Sequence, residues 1–509
     1  MLNIKIADLI GSSIMKPMIK ELFFKLKKLC SKLISVFALI IFDLLAVGVA
    51  IIFAYLARDI ILPLLSHSLF GDKLLTSTFF MLWWYPLTFI FTLAYEKLYH
   101  KRLPFWTEVE YIIKAATLAF LITVGFIYIS GLSVEISRVM VVIIWLISIF
   151  TIPVFRYIGK KSLLKLGVWS CPVIVIGNLE TAEMLDGALK REETMGYRVI
   201  GLISTGDEDQ VNISQAKKLT PFSNLGPIKD AEKAITLSGI EDLIIADPSL
   251  RTQHLVELTN RFQPLVNNVI IVPDLFGISL NGIDMAYLFE EQAILLQIKN
   301  RLKSSLNKAV KRVFDVLFGM IFILLSLPIF LLATIAIKVD TKGSALFIQD
   351  RIGQGGKTFS ALKFRTMYQD ADHILEDYLA SSSEARQEWE EYNKLRSYDP
   401  RVTKTGLFLR RFSLDELPQL FNVLKGEMSL VGPRPYMPRE EEQIGIYARD
   451  IYVTKPGLTG LWQVSGRNDL SFYSRLKLDS WYVRNWSLWL DIVLLLKTFR
   501  VVTRTDGAY

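Results

Sequence analysis

Long apolar stretches separated by short polar loops fill the first third of the chain. Four of them run approximately over 33–56, 79–95, 112–129 and 139–158. Each is near the length that crosses a hydrocarbon core of about 30 Å. The second is the shortest and contains Pro86, yet Trp83, Trp84 and Tyr85 suit an interfacial belt. The first is too long for a removable signal peptide and lacks a small-residue cleavage site. Lys16, Lys20, Lys25, Lys27, Lys28 and Lys32 precede it. Lys97, Lys101 and Arg102 lie between the second and third, and Arg156, Lys160, Lys161 and Lys165 close the fourth. The other two loops hold only Arg58 and Lys73, then Arg138. Basic loops stay inside, so this alternation predicts both chain ends in the cytoplasm. Four buried helices of a soluble bundle would not need it.

From Cys171 the period changes. Short apolar runs at 173–177, 197–203, 241–246 and 268–273 read as strands, with a helical pattern at 180–191 between the first two. That alternation predicts a parallel α/β sheet of Rossmann-like kind. The first strand ends at Gly177, but Gly177-Asn-Leu-Glu-Thr lacks the further glycines that let a backbone approach a pyrophosphate. A structural or regulatory domain with no bound cofactor is therefore expected. A basic linker over 299–312 leads to a fifth apolar segment, 313–337, with Asp315 near its start and Pro328 in its middle. Proline removes a backbone donor and bends a helix, and Ser326 is placed to bond a freed carbonyl. Basic residues flank both ends, so a bent, re-entrant helix keeps the rest of the chain cytoplasmic. An ordinary fifth crossing is the alternative.

Composition agrees with a membrane. Of 509 residues, 51% are hydrophobic and only 21% charged, with 58 basic against 50 acidic side chains. Soluble domains carry about 25% charge. Two cysteines, Cys30 and Cys171, build no disulfide framework, and four scattered histidines make zinc chemistry and a Ser/His/Asp hydrolase poor fits. The basic excess gathers at membrane boundaries rather than on one extended patch, which argues against nucleic acid.

The densest chemistry is Leu409-Arg410-Arg411-Phe412-Ser413-Leu414-Asp415-Glu416-Leu417-Pro418-Gln419-Leu420. Paired carboxylates can hold Mg2+ beside phosphate oxygens, and an aspartate can attack a phosphoryl group. Arg410 beside them matches phosphate. Ser413 followed by Glu416 also fits a capping box, and both readings can hold together. Arg351, Lys363 and Arg365, the Asp399-Pro-Arg401 turn, Arg434 in Gly432-Pro-Arg-Pro435, and Arg467 at the end of the Lys455–Arg467 segment add basic turns suited to a polyanion. Gly353-Gln-Gly-Gly-Lys-Thr358 fails as a P-loop because Arg351 stands where the first glycine belongs. Tyr473 and Lys477 have dehydrogenase spacing but no glycine fingerprint in their region. Near the end, Trp481, Tyr482, Trp486 and Trp489 suit either a core or an amphipathic interfacial helix.

Lys311-Arg-Val-Phe-Asp315, Lys363-Phe-Arg-Thr-Met367, the segment Ser413–Gly426, Ser429-Leu-Val-Gly-Pro-Arg-Pro435 and Lys455–Gly466 resemble the bacterial monotopic phosphoglycosyl transferases. The likeness covers about residues 311–509. With four spans and a Rossmann-like domain ahead, the chain resembles the family's large members. Its ending, including Asp479-Ser-Trp-Tyr-Val-Arg-Asn-Trp486, is similar to members that transfer galactose 1-phosphate in O-antigen, capsule or exopolysaccharide pathways. The resemblance implies three parts: an N-terminal transmembrane four-helix domain (1–165), a Rossmann-like domain (166–300), and a monotopic catalytic domain (301–509) with a re-entrant helix at 313–337. It implies that Asp415 attacks the sugar-bearing phosphate of a UDP-sugar and releases UMP, and that undecaprenyl phosphate then takes the phosphosugar. Glu416 would assist through Mg2+ or local charge, with Arg410 near the lipid phosphate. The implied setting is the bacterial inner membrane and its lipids, in a homodimer. The family places Ser directly before the kink Pro, whereas Leu327 stands there in this chain. UDP-glucose and UDP-N-acetyl sugars are the alternative donors. A membrane-bound nucleotide-sugar dehydratase or epimerase would need the missing glycine fingerprint. A non-catalytic scaffold for polysaccharide assembly would make Asp415 dispensable.

Overall fold

The computed structural model describes residues 15–61, 84–132, 136–205, 222–250, 252–272, 284–288, 293–297, 301–392, 395, 398–466 and 470–504. The chain forms two compact units, Met1–Asp274 and Leu275–Tyr509.

The first unit begins with α1 (Met15–Leu56), α2 (Tyr85–Tyr95), α3 (Phe105–Ile129) and α4 (Arg138–Lys165). Among the described residues, four helical stretches in the chain are long and apolar enough to cross a membrane: 30–59, α3, α4 and a later helix, Ser305–Asp340. The expected second span is described only from Trp84 onward, where Pro86 opens an 11-residue helix, short of a crossing. Inside the bundle, Ala46, Ala50 and Ala54 recur every fourth residue and are fully buried, as are Phe89, Leu93, Ile112 and Ile144. Outside, Phe37, Ile41, Phe53, Leu121 and Phe150 are exposed. Helices apolar all round fit a membrane protein. Between them Arg156 joins Asp43 (2.8 Å) and Glu108 (3.1 Å), while Lys160 joins Glu108 (2.7 Å). Two acids balance two bases, which is how buried charge is tolerated.

The same unit continues with β1 (Cys171–Gly177), α5 (Leu179–Arg191), β2 (Tyr197–Ser204), β3 (Ser223–Pro227), α6 (Ala231–Ser238), β4 (Asp242–Ala246), α7 (Thr252–Phe262) and β5 (Asn268–Ile271). All pairings are parallel, in the order β3-β2-β1-β4-β5. Val173 and Val175 enter one core, and Ile174 and Ile176 the other. A central parallel strand buried on both faces must read as a continuous apolar run. Asn178 caps α5 by accepting from the Thr181 N–H at 2.8 Å. A Cβ on Gly177 would lie 2.1 Å from the Ala246 carbonyl oxygen, so this glycine serves the close approach of β1 and β4.

The second unit holds the antiparallel pair β6 (Asp284–Leu288) and β7 (Ala293–Gln297), then the 36-residue α8 (Ser305–Asp340). An antiparallel hairpin follows, β8 (Leu346–Ile352) and β9 (Thr358–Phe364). Its connection carries the glycine-rich stretch, with Gly355 and Gly356 at φ +71° and +76°. Next come α9 (Ala371–Ser381), α10 (Ser383–Tyr392), α11 (Lys404–Arg411) and α12 (Gln419–Lys425). Parallel β10 (Ser429–Val431) and β11 (Gly457–Thr459), then α13 (Phe472–Arg484) and α14 (Leu488–Arg504), complete it.

Both ends of α8 pack on this one unit. At its start Lys311 Nζ donates to Asp491 (2.6 Å) and the Val431 carbonyl (3.0 Å), while Asp315 accepts from Ser429 Oγ and the Leu430 N–H. At its end Ala333 and Ile337 join Phe364 and Leu409 in a core, and Asp340 accepts from the Thr405 N–H at 3.0 Å. The helix is unbroken across Pro328. Among the described residues the Ser326 hydroxyl has no hydrogen-bond partner, so the expected bond to a freed carbonyl is not made. Leu324, Leu325, Leu331 and Leu332 are exposed, so one side of α8 is bare and apolar. Tyr482 and Trp486 are core residues, both donating to Asp491.

Candidate active site

Ser413 turns the chain. Its φ of +54° is left-handed, one of only two such non-glycine residues described. A turn of this kind costs roughly 1 kcal/mol or more and persists only where packing imposes it. Asp415 and Glu416 then lie on a single 3₁₀ turn, Leu414–Glu416, ahead of α12. The capping box expected from Ser413 and Glu416 is not formed: Ser413 makes no capping bond, and Glu416 Oε1 instead accepts from Lys363 Nζ on β9 at 2.7 Å. Left-handed backbone at Ser413 excludes the extended geometry that a cap needs.

Among the described residues, the Asp415 carboxylate has no hydrogen bond or ion pair to another side chain. Burial, then repulsion from Glu416, pushes its pKa up to about 6 against the pull of Lys363 and Arg410. Burial acts on Glu416 in the same direction, but Lys363, with Arg434 and Arg351 beyond it, holds that carboxyl below its ordinary value. The two neighbours are thus driven apart.

A cavity of about 1150 Å³ opens at this turn. Asp415, Glu416, Lys363, Arg365, Arg401 and Arg410 line its polar part, and Leu325, Ser326, Phe347, Leu495 and Phe499 its apolar part. Arg410 is aimed by its Nε donating to Thr366 Oγ1 at 2.9 Å. Arg365 donates from Nη2 to Thr341, while its Nε is buried without a partner among the described residues. Arg401 is clamped by Asp399 through Nε and Nη2, 2.8 and 2.7 Å, and lies over Trp389. Asp399 is therefore a holder of Arg401 and does not line the cavity.

Two expected arginines sit behind the lining. Arg351 donates to the Pro435 carbonyl and Gln349, and burial together with Arg434 depresses its pKa to about 10. Arg434 lies 5.3 Å over the Trp462 ring, its backbone N–H donating to Asp479 Oδ2 at 3.0 Å. Both act on the site through their field at Glu416. Arg467 lies outside the described residues. Arg439, Trp389 and Trp462 also line the cavity. No spacing rule singles them out, because the turns that bring them together are distant in sequence.

Two carboxylates are a sufficient protein share for Mg2+, which keeps waters and takes phosphate oxygens as further ligands. Asp415, with no side-chain partner among the described residues, and the second oxygen of Glu416 fit that ion. Among the described residues no cluster of three or more His, Cys, Asp or Glu is placed to hold a metal.

Residues 306–505 match the family described as bacterial sugar transferase. Undecaprenyl-phosphate galactose phosphotransferase of Salmonella typhimurium is 37% identical over 421 residues, 81% of this chain and 84% of that protein. The chain belongs to the bacterial sugar transferases. UDP-galactose-lipid carrier transferase of Erwinia amylovora is likewise 37% identical over 81% of this chain and 84% of its own length. A third relative, undecaprenyl-phosphate glucose phosphotransferase of Komagataeibacter xylinus, is 36% identical over 51% of this chain and 47% of that protein. In this bacterial sugar transferase, residues 98–273 also match a family described as CoA-binding domain, a stretch that includes the five-stranded sheet.

Proposed function

We propose that this membrane transferase moves a sugar 1-phosphate, galactose 1-phosphate by preference, from a UDP-sugar to undecaprenyl phosphate. The Asp415 carboxylate, without a side-chain partner among the described residues and set in a basic cavity beside a neighbour already paired with Lys363, carries the reading. Asp415 attacks the sugar-bearing phosphorus, an oxygen–phosphorus bond forms, and the bond to UMP breaks. A phosphate oxygen of the lipid then attacks the same phosphorus and expels the carboxylate, giving the diphosphate-linked sugar and free Asp415. Asp415 and Glu416 would hold Mg2+, which supplies neutralisation of charge on the transferred phosphate. Arg410 and Arg401 bind phosphate oxygens, and Arg365 Nε gains the partner it lacks.

The apolar part of the same cavity, lined by Leu325, Leu495 and Phe499, suits the lipid chain. Anchoring of both ends of α8 on one unit supports a helix that enters a leaflet and returns, with the transferase unit on the cytoplasmic side of the bacterial inner membrane. Galactose is favoured because two of the relatives that match over 81% of the chain are named for it. The test is UMP release from a panel of UDP-sugars by full-length protein with undecaprenyl phosphate and Mg2+. UMP from UDP-galactose by wild type and none by Asp415→Asn is expected. Undiminished release by the variant would end the covalent route, and no release from any donor would return the scaffold reading.

A further inference from the structure

A second cavity, about 340 Å³, lies against the first turns of α8 and shares no lining residue with the Asp415 cavity. Four cations line it, Lys308, Lys311, Arg312 and Lys455, with one carboxylate, Asp315. Their bonding separates them. Lys311 is held by Asp491, and Asp315 by Ser429 and Leu430. Arg312 is fixed by donating to the Val423 and Leu424 carbonyls at 2.6 and 2.7 Å. Those bonds fix a guanidinium without neutralising it. Among the described residues, the ammonium groups of Lys308 and Lys455 have neither a hydrogen bond nor an ion pair.

Lys455 and Arg312 converge. A Cβ on Gly426 would lie 3.4 Å from both Lys455 Nζ and Arg312 Nη2, and Gly426, at φ +88°, leaves that room open. Two positive groups brought together in a half-buried pocket repel unless an anion joins them. Burial, with Arg312 next to it, depresses the Lys455 pKa, a penalty that a bound anion relieves. The same turns of α8 expose Leu306, Val310 and Val313. The pocket therefore stands where the bare apolar side of α8 begins, the level at which lipid phosphates lie if α8 is embedded as proposed above.

We propose that this cavity is an anion site, separate from the transfer site, that takes a phosphate group, supplied by the headgroup of an anionic membrane lipid. Lys455 and Arg312 hold the phosphate and Lys308 closes the rim. Free phosphate has the same chemistry, so the experiment separates the two sources.

Full-length protein in detergent is titrated with short-chain phosphatidylglycerol and, separately, with inorganic phosphate, and bound ligand is counted by native mass spectrometry. Wild type is expected to bind the lipid saturably. The Lys308→Gln/Lys455→Gln protein is expected to bind at least tenfold more weakly. Lys455→Arg retains binding, and so does Arg410→Gln, whose change lies in the other cavity. An unchanged unfolding midpoint certifies that the double variant is folded. Phosphate bound as tightly as the lipid keeps the anion site and overturns the lipid as its source. Equal lipid binding by wild type and the double variant, or loss in Arg410→Gln instead, overturns the site.

Discussion

Lys363 Nζ stands 2.7 Å from Glu416 Oε1, while Asp415, the next residue back, keeps its carboxylate free of any side-chain partner among the described residues. One ammonium thus gives two adjacent acids different surroundings. Glu416 is held ionised, whereas the Asp415 charge is disfavoured by burial and by Glu416 more than Lys363 and Arg410 favour it. In the proposed reaction, bond formation from Asp415 to phosphorus would remove the charge that burial disfavours.

The pH dependence follows. If Asp415 is the nucleophile as proposed, it must be ionised to attack, and kcat/KM for UMP release is expected to fall as pH drops below about 6. Glu416 raises the Asp415 pKa and Lys363 lowers it. The acid limb therefore moves to lower pH in Glu416→Gln and to higher pH in Lys363→Met, with rate losses of roughly tenfold or more in each. A limb that stays fixed in both variants means that another group titrates.

The same shift has a stability side. A carboxyl whose folded pKa is raised disfavours the folded state wherever it is ionised, above pH about 6. Asp415→Asn removes that charge and is expected to stabilise the protein at pH 7.5 by about 1–3 kcal/mol, the upper end being the full shift at about 1.4 kcal/mol per unit. The gain should fade as pH drops from 6 toward 4, where the aspartate is protonated in both states. Unfolding midpoints at pH 7.5 and 4.5 for the two proteins decide it; a variant less stable at pH 7.5 contradicts the burial argument.

Lys311 and Asp491 form a buried pair that ties α8 to α14, supported by Tyr482 and Trp486. Lys311→Met leaves Asp491 without its cation and is expected to cost about 3–5 kcal/mol. The double variant Lys311→Met/Asp491→Asn removes both charges and should recover part of that loss. Thermal unfolding of the three proteins checks it, and a double variant no better than the single one argues that packing, not charge, holds the helix.

The sheet was legible because the inner strands β1 and β4 carry continuous apolar runs at 173–176 and 243–246, and because β2 and even the edge strand β5 keep short ones, 199–203 broken only by Gly201 and 269–271. Edge strand β3, Ser-Asn-Leu-Gly-Pro, carries no such signal: two polar residues, a glycine and a proline mask it. Asp415, Glu416 and Arg410 stood out because they are neighbours in sequence. The capping box misled because Ser413 has the right residue type, while its left-handed backbone is imposed by packing that no local pattern encodes. In sequence, Arg351 and Arg434 have the look of ligand contacts. Their place behind the lining depends on contacts to Pro435 and Asp479, 84 and 45 residues away.

Two glycines separate close packing from mere tolerance. A Cβ on Gly177 would lie 2.1 Å from the Ala246 carbonyl oxygen, a backbone atom that cannot swing aside, whereas one on Gly125 in α3 meets nothing within 4 Å. Gly177→Ala must push β1 from β4 at the end of the sheet, an overpacking cost of about 1–3 kcal/mol. Gly125→Ala instead removes backbone freedom from the unfolded chain inside a helix and is expected to be neutral or to stabilise by up to about 1 kcal/mol. The pair is compared by unfolding midpoint in detergent. Equal effects of the two substitutions would mean that the β1–β4 contact yields, and that Gly177 is a permissive residue at the strand end.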